Sequence, residues 1–320
     1  MEKRQLGNTD LYTSPIVFGG NVFGWTLNEK ESFEMLDQVI NSGFNTIDTA
    51  DVYSRWADGN NGGESEEIIG KWIKERGNRD AVNIITKVGS DMGQGHKDLT
   101  EAYILKAADA SLKRLQTDHI DLYLTHWDDD KTPVEETLGA YEKLIKAGKV
   151  RYIGASNLSP ERLTASLDAS KNDGLPKYEV FQPGYNLYDR QEFEEGVAKI
   201  CKNEGLGVIT YFSLASGFLT GKYRSEEDFK GKARASFTEK YLDEKGKEIL
   251  AALDDIAEKH NVSQAGVSLA WLLHKPVVTA PIASATKSKH LQAFTEAAEL
   301  SLSTEDMEQL DAASSYKELT

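Results

Sequence analysis

The sequence predicts an α/β fold of the (β/α)8 TIM-barrel class, with an N-terminal β-hairpin capping the barrel bottom. Eight short β-rich runs recur at roughly 30-to-40-residue intervals along the 320 residues, and helical patterns fill most of the gaps. The first run, FGGNVFGW, lacks the G-x-G-x-x-G spacing that a doubly wound dinucleotide-binding sheet carries after its first strand. The barrel is therefore preferred over the doubly wound sheet, which shares the same strand–helix beat.

The leading segment RQLGNTDLYTSP sets turn residues between two short β-like runs and reads as the hairpin. The eight barrel strands are expected at 16–20, 44–50, 81–89, 119–127, 150–156, 179–185, 206–212 and 277–283. Helices are expected at 30–43, 65–77, 100–116 and 134–149, with stops at Gly43, Gly77 and Gly148. In the third of these, Ile104, Leu105, Ala108, Leu112 and Leu115 recur at helical spacing, with charges on the opposite face. Ser159-Pro160 reads as an N-cap followed by proline at the first helical position. Residues 222–245 break the beat with a charged insertion, expected as a long loop on the barrel mouth and a candidate lid. Two helical stretches precede the last strand, and a terminal helix is expected near 303–314. No internal repeat or low-complexity linker interrupts the pattern, so residues 1–320 are read as one domain.

Charge narrows the function classes. Thirty-seven Lys and Arg against 52 Asp and Glu give a net charge of -15, a field that repels nucleic acid and anionic membrane surfaces. The single cysteine, Cys201, excludes an internal disulfide and suits a reducing compartment. MEKRQLGNTDLYTSP has no long apolar core, so no signal peptide is expected, and no run approaches the ~20 apolar residues of a membrane span. A cytoplasmic location is expected.

In a barrel, chemistry sits at the C-terminal ends of the strands. The second strand ends in Asp48, with Tyr53 on the following loop; the third runs to Lys87 and the fourth to His126. Alternation puts Ile85 with Lys87, and Leu122 and Leu124 with His126, on single faces, so the polar groups extend apolar faces toward the mouth. A phenol titrates near ~10 and is a poor proton donor at neutral pH. A neighbouring ammonium is expected to lower that value, and Asp48 would keep the buried Lys87 charged. The three form a relay that makes Tyr53 a general acid or base, while His126 polarises a carbonyl oxygen. None of these groups donates hydride, so a redox reading requires a nicotinamide cofactor.

Around these residues the sequence resembles the aldo-keto reductase superfamily. The likeness rests on DTADVY (48–53), ITK (85–87), LYLTHW (122–127), GKVRYIGASN (148–157) and YFSLASGFLTGKY (211–223), in order along the chain. It implies that Asp48, Tyr53, Lys87 and His126 are a catalytic tetrad, with Tyr53 the acid in reduction of an aldehyde or ketone by NAD(P)H. It also implies that Ser156, Asn157 and Gln182 bind the nicotinamide carboxamide, and that Tyr211 stacks on the ring. Ser213, Leu214, Ala215, Gly217, Leu219 and Gly221 would wrap the pyrophosphate, with Lys222 beside it. Gly20, Asn21 and Ala283 complete the expected cofactor contacts.

After the eighth strand the chain departs from the family's pattern. PIASATKSKHLQAF (281–294) has Ser284 for a glycine, Thr286 for a basic residue and Phe294 for an asparagine. Lys287, Lys289 and His290 could supply the positive charge for an adenosine 2′-phosphate, so NADP(H) is favoured over NAD(H). Val22, Trp25, Trp56 and Trp127, with Phe23, would line the mouth and suit an apolar or sugar-like carbonyl compound. Two other classes stay open. One is a cofactor-sensing regulatory subunit, like the potassium-channel β subunits that resemble this family. The other is a metal hydrolase using Asp48, Asp51, His126 and Asp128–Asp130. The lone strand-end histidine, without an H-x-H pair, argues against the hydrolase, and no metal is expected.

Overall fold

The structure, a computed structural model, describes residues 1–229 and 238–316. Its first two strands, β1 (Arg4–Gln5) and β2 (Tyr12–Thr13), pair antiparallel as the expected hairpin. Eight further strands follow: β3 (Val17–Gly19), β4 (Thr46–Asp48), β5 (Asn83–Val88), β6 (Ile120–Thr125), β7 (Val150–Ser156), β8 (Tyr178–Gln182), β9 (Gly207–Thr210) and β10 (Ala280–Ala283). All pair parallel in sequence order, and β10 closes the barrel against both β3 and β9.

The strands are shorter than the sequence suggests, for a physical reason. Phe44 is not strand but the end of the preceding helix stop, its N–H donating to Val39 O. Residues 126 and 127 lie just past β6, and Tyr211 lies just past β9, joined to Gly184 by a single bridge. Apolar β-like residues thus continue beyond the paired ladder into the loops.

Helices alternate with the strands: α1 (Glu29–Asn41), α2 (Glu64–Arg76), α3 (Glu101–Leu115), α4 (Val134–Lys146), α5 (Pro160–Asp173) and α6 (Ala198–Glu204). Asn28 and Glu31 form a reciprocal capping box that starts α1. Ser159 accepts from Arg162 N with Pro160 in the first turn of α5, as expected. A wide π turn at Glu192–Val197, without a sequence signal, leads into α6. Then come α7 (Glu244–His260), α8 (Gln264–Leu273), α9 (Gln292–Glu299) and the terminal α10 (Thr304–Ala313). Asp306 of α10 takes Lys259 Nζ at 2.7 Å and His260 Nε2 at 2.8 Å, fastening α10 to α7. The charged insertion is not one long loop: it holds 3-10 turns at Glu226–Phe229 and Glu239–Tyr241, and α7 begins at Glu244. Residues 230–237 of the expected lid lie outside the described residues.

Two apolar layers hold the fold. One lies between strands and helices; the other fills the barrel with Val17, Ile85, Leu122, Leu124, Val180, Ile209, Ala280 and Ile282. Leu6 and Leu11 of the hairpin belong to this inner set, so the hairpin plugs the barrel floor. It fits closely: Gly7 has φ 59, and a Cβ there would lie 2.0 Å from Glu179 O at the start of β8. With the floor sealed by side chains, access is from the opposite rim. Among the described residues no helix is long and apolar enough to cross a membrane.

Candidate active site

Strand register builds the site. Asp48 lies beside Ile85, Lys87 beside Leu124, and Leu124 beside Gly154, so residues of one inward layer line up across neighbouring strands. Ile85, Leu122 and Leu124 fill the interior. Alternation then turns Lys87 inward above Ile85, and His126 inward above Leu124. Ser156 pairs with Gln182 one step above Gly154 and Val180. An apolar floor therefore ends in a polar ring.

Within that ring Lys87 Nζ donates to Asp48 Oδ2 at 2.7 Å, to Thr49 O at 2.7 Å and to the Tyr53 hydroxyl at 3.0 Å. The Tyr53 hydroxyl is 3.2 Å from the same Asp48 oxygen, and Gln182 Nε2 donates to Asp48 Oδ1 at 2.8 Å. Lys87 is fully buried and Asp48 nearly so. Burial pushes the Lys87 ammonium down from its usual value, and Asp48 opposes that shift. Three acceptors around one Nζ keep the charge in place.

The phenol does not behave as the sequence suggests. Tyr53 is pushed well above the usual tyrosine value, first by burial and then by the Asp48 charge and hydrogen bond. Lys87 sits at the expected distance, but the carboxylate that steadies it lies almost as near the phenol, so the two charges nearly cancel there. Tyr53 is accordingly a protonated donor throughout the neutral range. Its hydroxyl hydrogen can turn from Asp48 Oδ2 to an incoming oxygen while Lys87 still donates to its oxygen.

His126 stands 6.1 Å from Tyr53, ring centre to ring centre, and Trp127 stacks on it at 5.9 Å. Burial, with a smaller push from Lys87, holds the imidazole well below its usual range, so it is neutral. Ser90 Oγ lies 3.0 Å from His126 Nδ1. Ser90 has no signal in the strand ends; it lies three residues past Lys87, on the loop after β5, and reading the mouth loops finds it.

The tetrad opens into a cleft of about 2120 Å3. That exceeds the few hundred to about 1,000 Å3 of a single small-ligand pocket and suits an extended ligand plus a substrate. Trp25 and Trp56 meet edge to face at 5.7 Å, and Trp56 lies 5.9 Å from Tyr53. These two, with Val22 and Trp127, wall the end nearest the phenol. Phe23 is instead fully buried in the core. Lys97 Nζ lies 5.0 Å over the Trp127 ring at this end, a contact no spacing rule in the sequence reveals.

Toward β7–β9 the amide and hydroxyl groups interlock. Tyr211 donates to Asn157 Oδ1 at 2.7 Å, Asn157 Nδ2 donates to His126 O and Ser156 Oγ at 3.0 Å each, and Ser156 Oγ donates to Gln182 O at 2.8 Å. A Cβ on Gly184 would sit 3.1 Å from the Tyr211 ring, so one ring face packs on bare backbone. Tyr211 also lines the cleft. Asn157 reaches this network from a left-handed backbone at φ 53.

Beyond Tyr211, left-handed residues accumulate: Phe212, Ala215, Ser216, Gly217 and Gly221 all have positive φ. Such turns cluster N–H groups into anion-binding concavities. Phe212 is half exposed on the cleft, a strained aromatic the sequence does not single out. Asn21, Ser213, Leu214, Gly217, Lys222, Ala283, Thr286, Lys287 and His290 all reach the cleft wall. His290 is held below its usual value by burial and by Lys222, Lys289 and Lys287, which marks a concentration of positive charge. Gly20, Ala215, Leu219 and Gly221 lie off the wall; Ala215 and Leu219 point into the core. Ser284 Oγ donates to Asn21 Oδ1 at 2.7 Å, and Phe294 packs 5.6 Å from Phe44.

Of the acidic residues in the hydrolase reading, Asp48 holds Lys87, and Asp128 and Asp129 are also engaged elsewhere. Asp128 takes Arg162 at 2.9 Å, and Asp129 accepts from Leu99 N and Thr132. Asp51 is buried with neither carboxylate oxygen hydrogen-bonded, and burial, then Glu66, push its pKa well up. Among the described residues no group of three His, Cys, Asp or Glu could hold a metal.

Comparison with known proteins is consistent along the chain. The profile of the aldo/keto reductase family matches residues 15–315. The chain is 35% identical to "Aldo-keto reductase YhdN" of Bacillus subtilis (strain 168), over 97% of its own length and 93% of the relative. It is 32% identical to a "Probable voltage-gated potassium channel subunit beta" of Arabidopsis thaliana, over 91% and 89%. It is 31% identical to "L-glyceraldehyde 3-phosphate reductase" of Escherichia coli O157:H7, over 97% and 92%.

Proposed function

The chain belongs to the aldo/keto reductase family, and on that premise we propose that it reduces an aldehyde or ketone to an alcohol with NAD(P)H, NADP(H) preferred. The observation that carries this reading is the contact of Tyr53 with Lys87 and Asp48 at the mouth of the cleft, with neutral His126 alongside.

The residues fit a dinucleotide. After its internal bonds, Gln182 retains its Oε1 and one N–H, and Asn157 Oδ1 retains a lone pair, which matches the donors and acceptors of a carboxamide. Tyr211 has one face on Gly184 and offers the other to a ring. The left-handed residues interspersed between Phe212 and Gly221, with Lys222, suit a pyrophosphate, and Lys287 and Lys289 suit a further phosphate. When bound, a reduced nicotinamide supplies the hydride to the carbonyl carbon.

The chain's own groups do the rest. His126 polarises the carbonyl oxygen, and Tyr53 passes its hydroxyl proton to that oxygen as negative charge develops. Lys87 stabilises the charge left on the phenol oxygen, and Asp48 holds Lys87. The aromatic walls of Trp25, Trp56 and Trp127 favour a substrate with an apolar or sugar-like body. Titration of NADPH and NADH by tryptophan fluorescence, then a carbonyl panel, tests the reading. Binding with carbonyl-dependent cofactor oxidation supports it; no binding of either cofactor refutes it. The potassium-channel relative favours a second reading, a cofactor-sensing subunit, which tight NADPH binding without turnover on any carbonyl would support.

A further inference from the structure

We propose that Ser90 is a positioning residue for His126: its hydroxyl donates to Nδ1 and fixes the imidazole in the tautomer that carries its proton on Nε2, facing the cleft. The inference deepens the proposed reduction and rests on it only for the rate consequence. Ser90 Oγ is 3.0 Å from Nδ1, and Ser90 is 4% exposed. Among the described residues, Nδ1 is the only hydrogen-bond partner of that hydroxyl, so the hydroxyl hydrogen has this acceptor and no other. A neutral imidazole has one donor and one acceptor nitrogen; if Nδ1 accepts, Nε2 must donate.

The surroundings hold this arrangement. Gly89, at φ 106, turns the chain after β5, and Ser90 O accepts from Gln94 Nε2 at 3.0 Å, which anchors the serine backbone. The ring contacts both Tyr53 and Trp127, and the His126 backbone N–H donates to Val88 O. Nε2 has no protein partner among the described residues, and His126 lines the cleft. The consequence is chemical. An Nε2–H directs a proton at a carbonyl oxygen and polarises it, whereas the other tautomer would present a lone pair and repel that oxygen. Gln182 and Asn157 are oriented by similar side-chain bonds, so the ring of polar groups at the mouth is fixed before any ligand arrives.

The test is a long-range proton–nitrogen NMR spectrum of the 15N-histidine-labelled protein, with the signal assigned among the six histidines by loss in His126→Asn. The proposal expects wild-type His126 as the Nε2–H tautomer, whatever the activity. In Ser90→Ala it expects a mixture of tautomers and a kcat for carbonyl reduction lower by about tenfold, the equivalent of one hydrogen bond. NADPH affinity stays unchanged, and Ser90→Thr restores both signals. An Nδ1–H tautomer in the wild type overturns the proposal, as does an unchanged tautomer in Ser90→Ala. A shifted tautomer with unchanged kcat supports the hydrogen bond and overturns the role of His126 in the reduction. If Ser90→Ala does not fold, the wild-type spectrum alone decides.

Discussion

Replacing Lys87 by methionine removes the cation that contacts the phenol among the described residues, while keeping most of the side-chain volume. At an effective dielectric of about 20, the ammonium at 3.0 Å stabilises a phenolate by about 5.5 kcal/mol. The Asp48 carboxylate at 3.2 Å opposes it by about 5.2 kcal/mol. The wild-type charges therefore nearly cancel, and Lys87→Met leaves the repulsion unopposed. With the proton half transferred in the transition state, about half of the lost stabilisation is felt, a fall in kcat of about a hundredfold. Lys87→Met/Asp48→Asn removes both charges together and restores the balance, so it should be faster than Lys87→Met alone by about tenfold or more. Lys87→Met also strands a buried carboxylate, a loss of about 3–5 kcal/mol that the double variant relieves, and thermal unfolding measures it. The assay is kcat for carbonyl-dependent NADPH oxidation at saturating cofactor. A double variant as slow as the single one, or a single variant within threefold of wild type, refutes the argument.

Three further outcomes follow from the same geometry. Lys287→Ala/Lys289→Ala should weaken NADPH binding about tenfold and NADH binding little, by fluorescence titration; equal losses would remove these lysines from the 2′-phosphate. kcat/KM for reduction should be level from about pH 6.5 to about pH 8.5, a window that stops short of the Lys87 ammonium, which burial lowers from its usual value. His126 is shifted down and stays neutral below its usual value, while Tyr53 is shifted up and keeps its proton above its own, so a falling limb inside that window contradicts the assignments. Asp51→Asn should raise the thermal midpoint, and more so at pH 8 than at pH 5. The folded Asp51 keeps its proton while the unfolded one releases it above about pH 4, so this carboxyl lowers stability as pH rises toward its folded value. A difference independent of pH overturns that account.

The barrel and its rim were legible because alternation is a local rule. Ile85 and Leu124 declare an inward face, and Lys87 and His126 extend it past the point where apolar residues stop. The hairpin was legible from its turn residues, and Leu6 and Leu11 fix its place in the barrel floor. What could not be read depends on contacts between distant segments. The upward shift of Tyr53 follows from sharing one Asp48 oxygen with Lys87, a matter of ångströms that spacing does not contain. Ala215 and Leu219 fall in a segment full of turn signals, yet their side chains pack inward, because left-handed residues reorient that run. The upward push on Asp51 likewise comes from burial and from the Glu66 charge on α2, a residue outside DTADVY that the barrel brings near.

Single-turnover reduction with Tyr53→Phe tests most directly whether this phenol hands over the proton. The account predicts that the variant binds NADPH as tightly as wild type and loses carbonyl-dependent cofactor oxidation by at least about a thousandfold, within the range for a lost general acid. Turnover within tenfold of wild type would contradict it.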